Sequence, residues 1–375
     1  MMKAAVYSSF SGPITVQSIP RPTLASSNNN DGVILQVMAT GVCRSDHHGW
    51  NGHDTDIQDY VKENGFPFVP GHEVSGILVE VGSNVQKFKV GDRVAIPFIL
   101  SCGKCNMCCQ HSRPTICERQ EQPGFTMLGS YAEYVAIPRA DYNLSIIPNE
   151  VSFVEAAALG CRFTTAYRAV VQQGGLGDTS NHIQSIAIMG CGGLGLCCIM
   201  IASAYGSNLQ IIAVDVSDKA LDKAKEVGAT HTINARSEDV QQCIMNLTNK
   251  NGTVGADLSI DAAGFKATCE NAVYATRRGG RMIQVGLPIG HESPIIPMSI
   301  VAGKELEIVG SHGCAGHDMP AILNLVQSKK LDPKKLIERE VTLEEGAKTL
   351  MSMDNGSPIG MVMITQFDNV PNSRY

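Results

Sequence analysis

Positive charge is thinly spread in this chain: 30 Lys and Arg against 36 Asp and Glu give 375 residues a formal net charge of −6. No run of Lys or Arg stands out, which argues against nucleic acid as a partner. Long apolar runs are absent as well. Without a stretch of about twenty apolar residues the chain has no ordinary transmembrane helix. The start, Met1-Met2-Lys3-Ala4-Ala5-Val6-Tyr7, lacks the apolar core of a signal peptide. No internal repeat occurs, and no low-complexity tract beyond a short Asn run, which excludes a repeat architecture. What remains is 43% hydrophobic and 18% charged, with mean hydropathy near zero, as expected of a soluble globular protein. At this length two domains are expected. Thirteen cysteines without a leader segment favour metal ligands and buried thiols over disulfides, and so a reducing, cytoplasmic compartment.

The pattern changes near residue 155. Before it, short β-like runs alternate with turns: 14–16, 32–37, 76–82 and 92–96, with a polar surface loop, Ser26-Ser27-Asn28-Asn29-Asn30-Asp31-Gly32, among them. Such a pattern fits an all-β, barrel-like unit. After it, strand and helix alternate. Ile186-Ala187-Ile188-Met189 leads through glycines into an apolar helix ending near Ala204. Further strands are expected at 211–215, 259–261, 280–285 and 308–309, with a helix at 219–227. This alternation predicts a parallel sheet covered by helices.

Three groups of residues carry chemistry. The segment Cys102 to Cys117 reads C-G-K-C-N-M-C-C-Q-H-S-R-P-T-I-C, five cysteines in sixteen residues. Four thiolates at one point make a closed, structural zinc site. Next, Gly190-Cys191-Gly192-Gly193-Leu194-Gly195 is G-x-G-x-x-G between a strand and a helix. Glycine there allows a tight turn, close approach of a pyrophosphate and close helix–strand packing, and the helix N-terminus supplies donors to the anion. Asp215 ends the next strand, where a carboxylate can accept from ribose hydroxyls and repel a 2′-phosphate, favouring NAD over NADP. Lys219 lies near the same edge, and a solvated helix face explains it equally well. Finally, Cys43, His72 and Cys161 are metal-ligand types that would leave a fourth zinc position open, but spacing alone does not bring them together.

The run from Gly71-His72-Glu73 to Val85 has the pattern G-H-E-x2-G-x5-G-x2-V, which resembles the zinc signature of the medium-chain alcohol dehydrogenases. The order Cys43, His72, cysteine lobe, Cys161, glycine turn and acidic strand end is similar to that family too. The likeness runs nearly the whole chain, through Gly310-Ser311-His312-Gly313 to Gly356-Ser357-Pro358-Ile359-Gly360. It implies an α/β fold: a Rossmann-type doubly wound parallel sheet domain at 156–297, and a GroES-like β-barrel catalytic domain formed by 1–155 with 298–375.

By resemblance, Cys43, His72 and Cys161 match catalytic zinc ligands, and Cys102, Cys105, Cys108 and Cys117 a structural zinc site, two zinc ions per chain. Ser45 and His48 match a proton relay, Arg44 a cation for the cofactor pyrophosphate, and Asp46 and Glu73 carboxylates that orient ligands. His47 matches no role and reads as a surface histidine. The family lobe is C-x2-C-x2-C-x7-C, whereas Cys108 to Cys117 leaves eight residues between; Cys109 restores seven but stretches the preceding gap. His111 finds no vacancy beside four cysteines. Cys191, Cys197, Cys198, Cys243, Cys269 and Cys314 read as buried small hydrophobes. Trp50, Ile57, Tyr60, Phe98, Leu287 and Met319 are candidates for an alcohol pocket or for plain packing.

The implied activity is hydride transfer between a primary or secondary alcohol and NAD, with zinc lowering the hydroxyl pKa and Ser45 and His48 carrying the proton. An unperturbed imidazole pKa near 6.5 suits His48 to that work. Cys161 argues against a polyol dehydrogenase, and the whole ligand set argues against zinc-free quinone or enoyl reductases. A zinc-stabilised dinucleotide-binding protein without catalysis is the alternative outside enzymology. The compact segment after the lobe is similar to tetrameric microbial members, so a homo-oligomer is expected, a tetramer before a dimer.

Overall fold

The computed structural model describes residues 1–27, 30–206, 208–249, 254–288, 292–356 and 358–367. Asn28 and Asn29 of the expected surface loop, and Ser357, lie outside the described residues. The chain forms two compact units, Met1–Thr164 with Gly313–Tyr375, and Thr165–His312.

The first unit opens with β1 (Met2–Val6), β2 (Thr15–Ile19), β3 (Val33–Val42), β4 (Val74–Val81), β5 (Arg93–Ala95), β6 (Tyr134–Ile137) and β7 (Ser145–Ile146). The second contains β8 (Ser185–Met189), β9 (Gln210–Asp215), β10 (His231–Asn234), β11 (Ala256–Asp261), β12 (Thr276–Gln284) and β13 (Glu307–Gly310). The chain then returns to the first unit for β14 (Ile337–Thr342) and β15 (Met361–Gln366).

In the first unit β3 is the organising strand. Its sequence, VILQVMATGV, is rich in β-branched and aliphatic residues and is buried along most of its length. It pairs antiparallel with β4, β15 and β6 within a sheet ordered β14-β15-β3-β4-β5-β7, with β6 on the side. Val33, Leu35 and Val37 enter a core shared with Tyr7, Phe68, Leu78, Tyr131 and, from the returning segment, Val362 and Ile364. Burial of these side chains stabilises the sheet by roughly 1.5–3 kcal/mol each.

In the second unit the order is β10-β9-β8-β11-β12-β13, and every pairing is parallel. The order reverses between β8 and β11, the switch point at which doubly wound sheets bind nucleotides. β8 is buried at all five positions, as a central parallel strand covered on both faces must be. The helix Gly193–Tyr205 behind it buries Leu196 to Ala202 without interruption, so it is apolar on every side.

The units divide at 164/165 and 312/313, whereas the composition shift suggests 155/156 and the family likeness implies 297/298. Gly160 lies against Glu73 and Ile96 of the first unit, and β13 completes the second unit's sheet. Among the described residues no helix is long and apolar enough to cross a membrane.

Candidate active site

Three elements of the first unit deliver one cluster. Cys43 follows β3 and caps the helix Arg44–Trp50. His72 stands two residues before β4. Cys161 sits in a π-helical turn, Leu159–Phe163, a widened turn frequent at functional sites. The ligand atoms of the three side chains lie within 4.8 Å of one another. His72 Nδ1 donates to Asp46 Oδ1 at 2.8 Å, while its Nε2 is buried with no hydrogen-bond partner among the described residues. Asp46 also accepts from the N–H groups of Gly71 (3.0 Å) and Cys43 (3.3 Å), fixing both ligand-bearing segments.

The electrostatics suit a cation. The hydrogen bond from the Cys161 thiol, with help from the His72 and Arg162 cations, outweighs burial and holds the Cys43 thiol well below its ordinary value. That bond and burial push Cys161 well up. Burial opposes charge on His72, but Asp46 and Cys43 prevail and raise its pKa well above the ordinary value. A buried imidazole Nε2 among two sulfurs, without a hydrogen-bond partner among the described residues, fits a zinc ion with one position left open once its proton is displaced. Metal entry would displace the protons that these groups now share.

Ser45 and His48 are three residues apart on the helix Arg44–Trp50, hence on one face of it. Both are half-buried. Burial first, then the neighbouring Arg44, His47 and His53, lowers the His48 pKa to about 4, so the value near 6.5 expected from the sequence does not hold at this site. Arg44 is exposed and donates to the Met353 carbonyl at 2.6 Å. His47 is not the expected surface histidine: it is 2% exposed, packs at a tilt against Trp50, and sets Nε2 3.0 Å from Asp354. The helix has to bury one side, and position 47 lies on it.

In the lobe, the structure gathers Cys102, Cys105, Cys108 and Cys117, all buried. Sγ of Cys105 is 3.5 Å from that of Cys108 and 3.7 Å from that of Cys117. Zn–S bonds of about 2.3 Å give a tetrahedral S–S edge of roughly 3.8 Å, so the spacing fits a closed zinc site. N–H groups of Lys104 and Cys105 point at Cys102 Sγ, and those of Cys102 and Arg119 at Cys117 Sγ, all at 3.3 Å. Burial pushes the Cys102 thiol up, but these donors and the adjoining sulfurs bring it down to about 6. Cys109 is exposed, its thiol turned to the Gly103 carbonyl at 3.2 Å. On the short helix Asn106–Cys109 successive side chains point about 100° apart, so only one of the adjacent pair can face the cluster.

In the second unit the glycine turn follows β8. Gly190 has φ +93°, and a Cβ on Gly195 would stand 1.8 Å from the Gly190 carbonyl. A Cβ on Gly192, by contrast, would meet nothing within 4 Å among the described residues. The first and last glycines therefore serve the fold, and the middle one leaves room above the N-terminus of a thirteen-residue helix. Gly193 and Leu194 begin that helix, half-buried. Asp215 accepts from Cys191 N (2.7 Å) and Ser217 N (2.8 Å), pinning its carboxylate beside the turn. Lys219 is exposed.

Of the pocket candidates, Phe98 lies against the metal cluster, its ring 5.9 Å from that of His72. Phe125, not anticipated, is nearer at 5.1 Å. Trp50, Ile57 and Met319 are buried packing residues, Tyr60 packs edge-on against Phe68, and Leu287 is exposed on the second unit. Cys191, Cys197, Cys198, Cys269 and Cys314 are buried, but Cys243 is only partly so. Arg162 is the functional neighbour that sequence reading missed: it pairs with Glu73, and no local signal announces a partner so distant in the chain.

Comparison with known proteins gives a consistent result. Residues 29–148 match the alcohol dehydrogenase GroES-like domain, and residues 193–328 match zinc-binding dehydrogenase. An alcohol dehydrogenase of Geobacillus stearothermophilus is 35% identical over 338 residues, covering 90% of this chain and 92% of its own. A sorbitol dehydrogenase of Bacillus subtilis is 34% identical, covering 92% and 91%. The solved alcohol dehydrogenase from Thermus sp. ATN1 superposes with a TM-score of 0.84 at 29% identity, covering 97% of this chain and 99% of that one.

Proposed function

The chain belongs to the zinc-dependent medium-chain alcohol dehydrogenase family, and from that premise we propose that it oxidises a primary or secondary alcohol with NAD to an aldehyde or ketone, reversibly. The observation that carries the proposal is the convergence of Cys43, His72 and Cys161 with one orphaned imidazole nitrogen among them. Zinc bound there supplies a Lewis acid for the substrate oxygen, and NAD supplies the hydride acceptor.

The residues divide the remaining work. Asp46 fixes the tautomer and orientation of His72, which keeps Nε2 as the donor atom. The Ser45 hydroxyl takes the substrate proton and passes it toward His48, whose low pKa keeps the ring neutral near pH 7. Gly192 admits a pyrophosphate to the helix N-terminus and Asp215 selects the ribose of NAD; Arg44, in the first unit, keeps its proposed role as a cation for the cofactor pyrophosphate. With NAD bound, the cofactor would take the hydride while Ser45 and His48 would take the proton, which balances the reaction.

Self-association into a homo-oligomer, a tetramer before a dimer, is part of the proposal, and light scattering is its test. The similarity to a sorbitol dehydrogenase favours a polyol as the second reading. NAD reduction across primary, secondary, aromatic and polyol substrates separates the two. Turnover confined to polyols would reject the first reading, and turnover with none would reject both.

A further inference from the structure

Each of the three clustered ligands has a chain neighbour in a single buried clamp. Arg162, next to Cys161, reaches Glu73, next to His72: Nη2 donates to Oε2 at 2.7 Å and Nε to Oε1 at 3.0 Å. The backbone N–H of Arg162 points to Glu73 Oε1 as well, at 3.4 Å. Nη2 also lies 3.4 Å from the carbonyl of Val42, next to Cys43. The guanidinium thus spans the three segments that carry Cys43, His72 and Cys161. Glu73 is fully buried and Arg162 is 8% exposed. A two-pronged contact of this kind fixes geometry as a single lysine ammonium cannot.

The surroundings are shaped to the pair. A Cβ on Gly41 would stand 2.0 Å from Glu73 Oε2, and one on Gly160 would stand 3.0 Å from the Glu73 Cα. The Gly41 N–H donates to the Glu73 carbonyl at 2.9 Å, so β3 grips that residue from the other side. Burial pushes the Glu73 carboxyl up, and Arg162 pulls it back.

We propose that Arg162 is a positioning residue which, through the Glu73 fork and the Val42 carbonyl, holds the three ligand-bearing segments together before metal binds and slows metal loss afterwards. The inference rests on the zinc reading of Cys43, His72 and Cys161. Outer partners of metal ligands are worth about 10–100-fold in metal affinity, and that is the scale expected here.

The test follows zinc release from the full-length protein into excess chelator, with the four-cysteine zinc as internal control. Arg162→Met is expected to lose one zinc at least about tenfold faster than the parent, and the other at the parent rate. Arg162→Lys, which keeps charge but not the fork, should fall between the two. Arg162→Met with Glu73→Gln removes both charges and should still release zinc fast, because the tie between segments is gone. Parent-like release from that double variant would assign the effect to an unpaired carboxylate and overturn the clamp. Parent-like release from Arg162→Met or Arg162→Lys would overturn it too. Should Arg162→Met fail to fold, Arg162→Lys and the double variant decide. A parent chain holding only one zinc would instead sink the zinc reading, and the clamp with it.

Discussion

The adjacent thiols of Cys108 and Cys109 have opposite surroundings: one is buried among three sulfurs, the other exposed. Cys109→Ser is therefore expected to keep two zinc ions per chain, while Cys108→Ser loses one and lowers thermal stability; metal analysis and a melting curve check both. The extra residue before Cys117 left this choice open in the sequence, and a single turn of helix decides it in space. His48 gives a second residue-level prediction. Its folded pKa, about 4, lies below the ordinary 6.5, so between these values the unfolded chain binds the extra proton. The stability from neutral His48 is present above pH 6.5 and is lost as pH falls toward 4. His48→Gln should show a shallower decline of melting temperature across that window than the parent. His48→Ala should lower turnover by up to about 100-fold, the low end for a positioned proton-transfer group, with zinc content unchanged. Unaltered turnover and pH dependence would remove His48 from the relay.

Among the elements, the glycine turn separates two duties that one motif combines. Gly195→Ala pushes a methyl into the Gly190 carbonyl and should cost roughly 1–3 kcal/mol or more of stability. Gly192→Ala meets open space, so the fold should keep its melting temperature while the KM for NAD rises by about tenfold, or roughly 1.4 kcal/mol. Equal effects of the two on stability would contradict this division. The turn was legible because its glycines, its strand and its acidic partner are close in sequence. β1, β6, β14 and β15 were not, because such short strands owe their existence to pairing partners far along the chain. Helix Arg44–Trp50 is legible in the sequence as a cluster of chemical groups but not as a helix with a buried side, which is why the sequence alone makes His47 a surface residue. Its partner, Asp354, comes from the segment that returns to the first unit at Gly313.

For the whole molecule, the division into a β-rich unit and a parallel-sheet unit followed from the change in apolar periodicity, whereas the return of the C-terminal segment, expected from 298 and found from Gly313, was implied by family likeness alone. The Arg162–Glu73 pair is invisible to any local pattern, since its members stand 89 residues apart. The metal cluster depends on the same long-range closure: residue types suggested it, and burial of β3, β4 and the π-helical turn brings the ligands together.

The central claim is that an open zinc site at Cys43, His72 and Cys161 drives alcohol oxidation. Its most direct test is to titrate the purified protein with chelator while measuring zinc content and NAD reduction on the best alcohol together. The prediction is two zinc ions per chain at the start, activity falling in proportion to loss of the first, and recovery when zinc is returned. Full activity after one zinc has left, with the four-cysteine site still loaded, would contradict it.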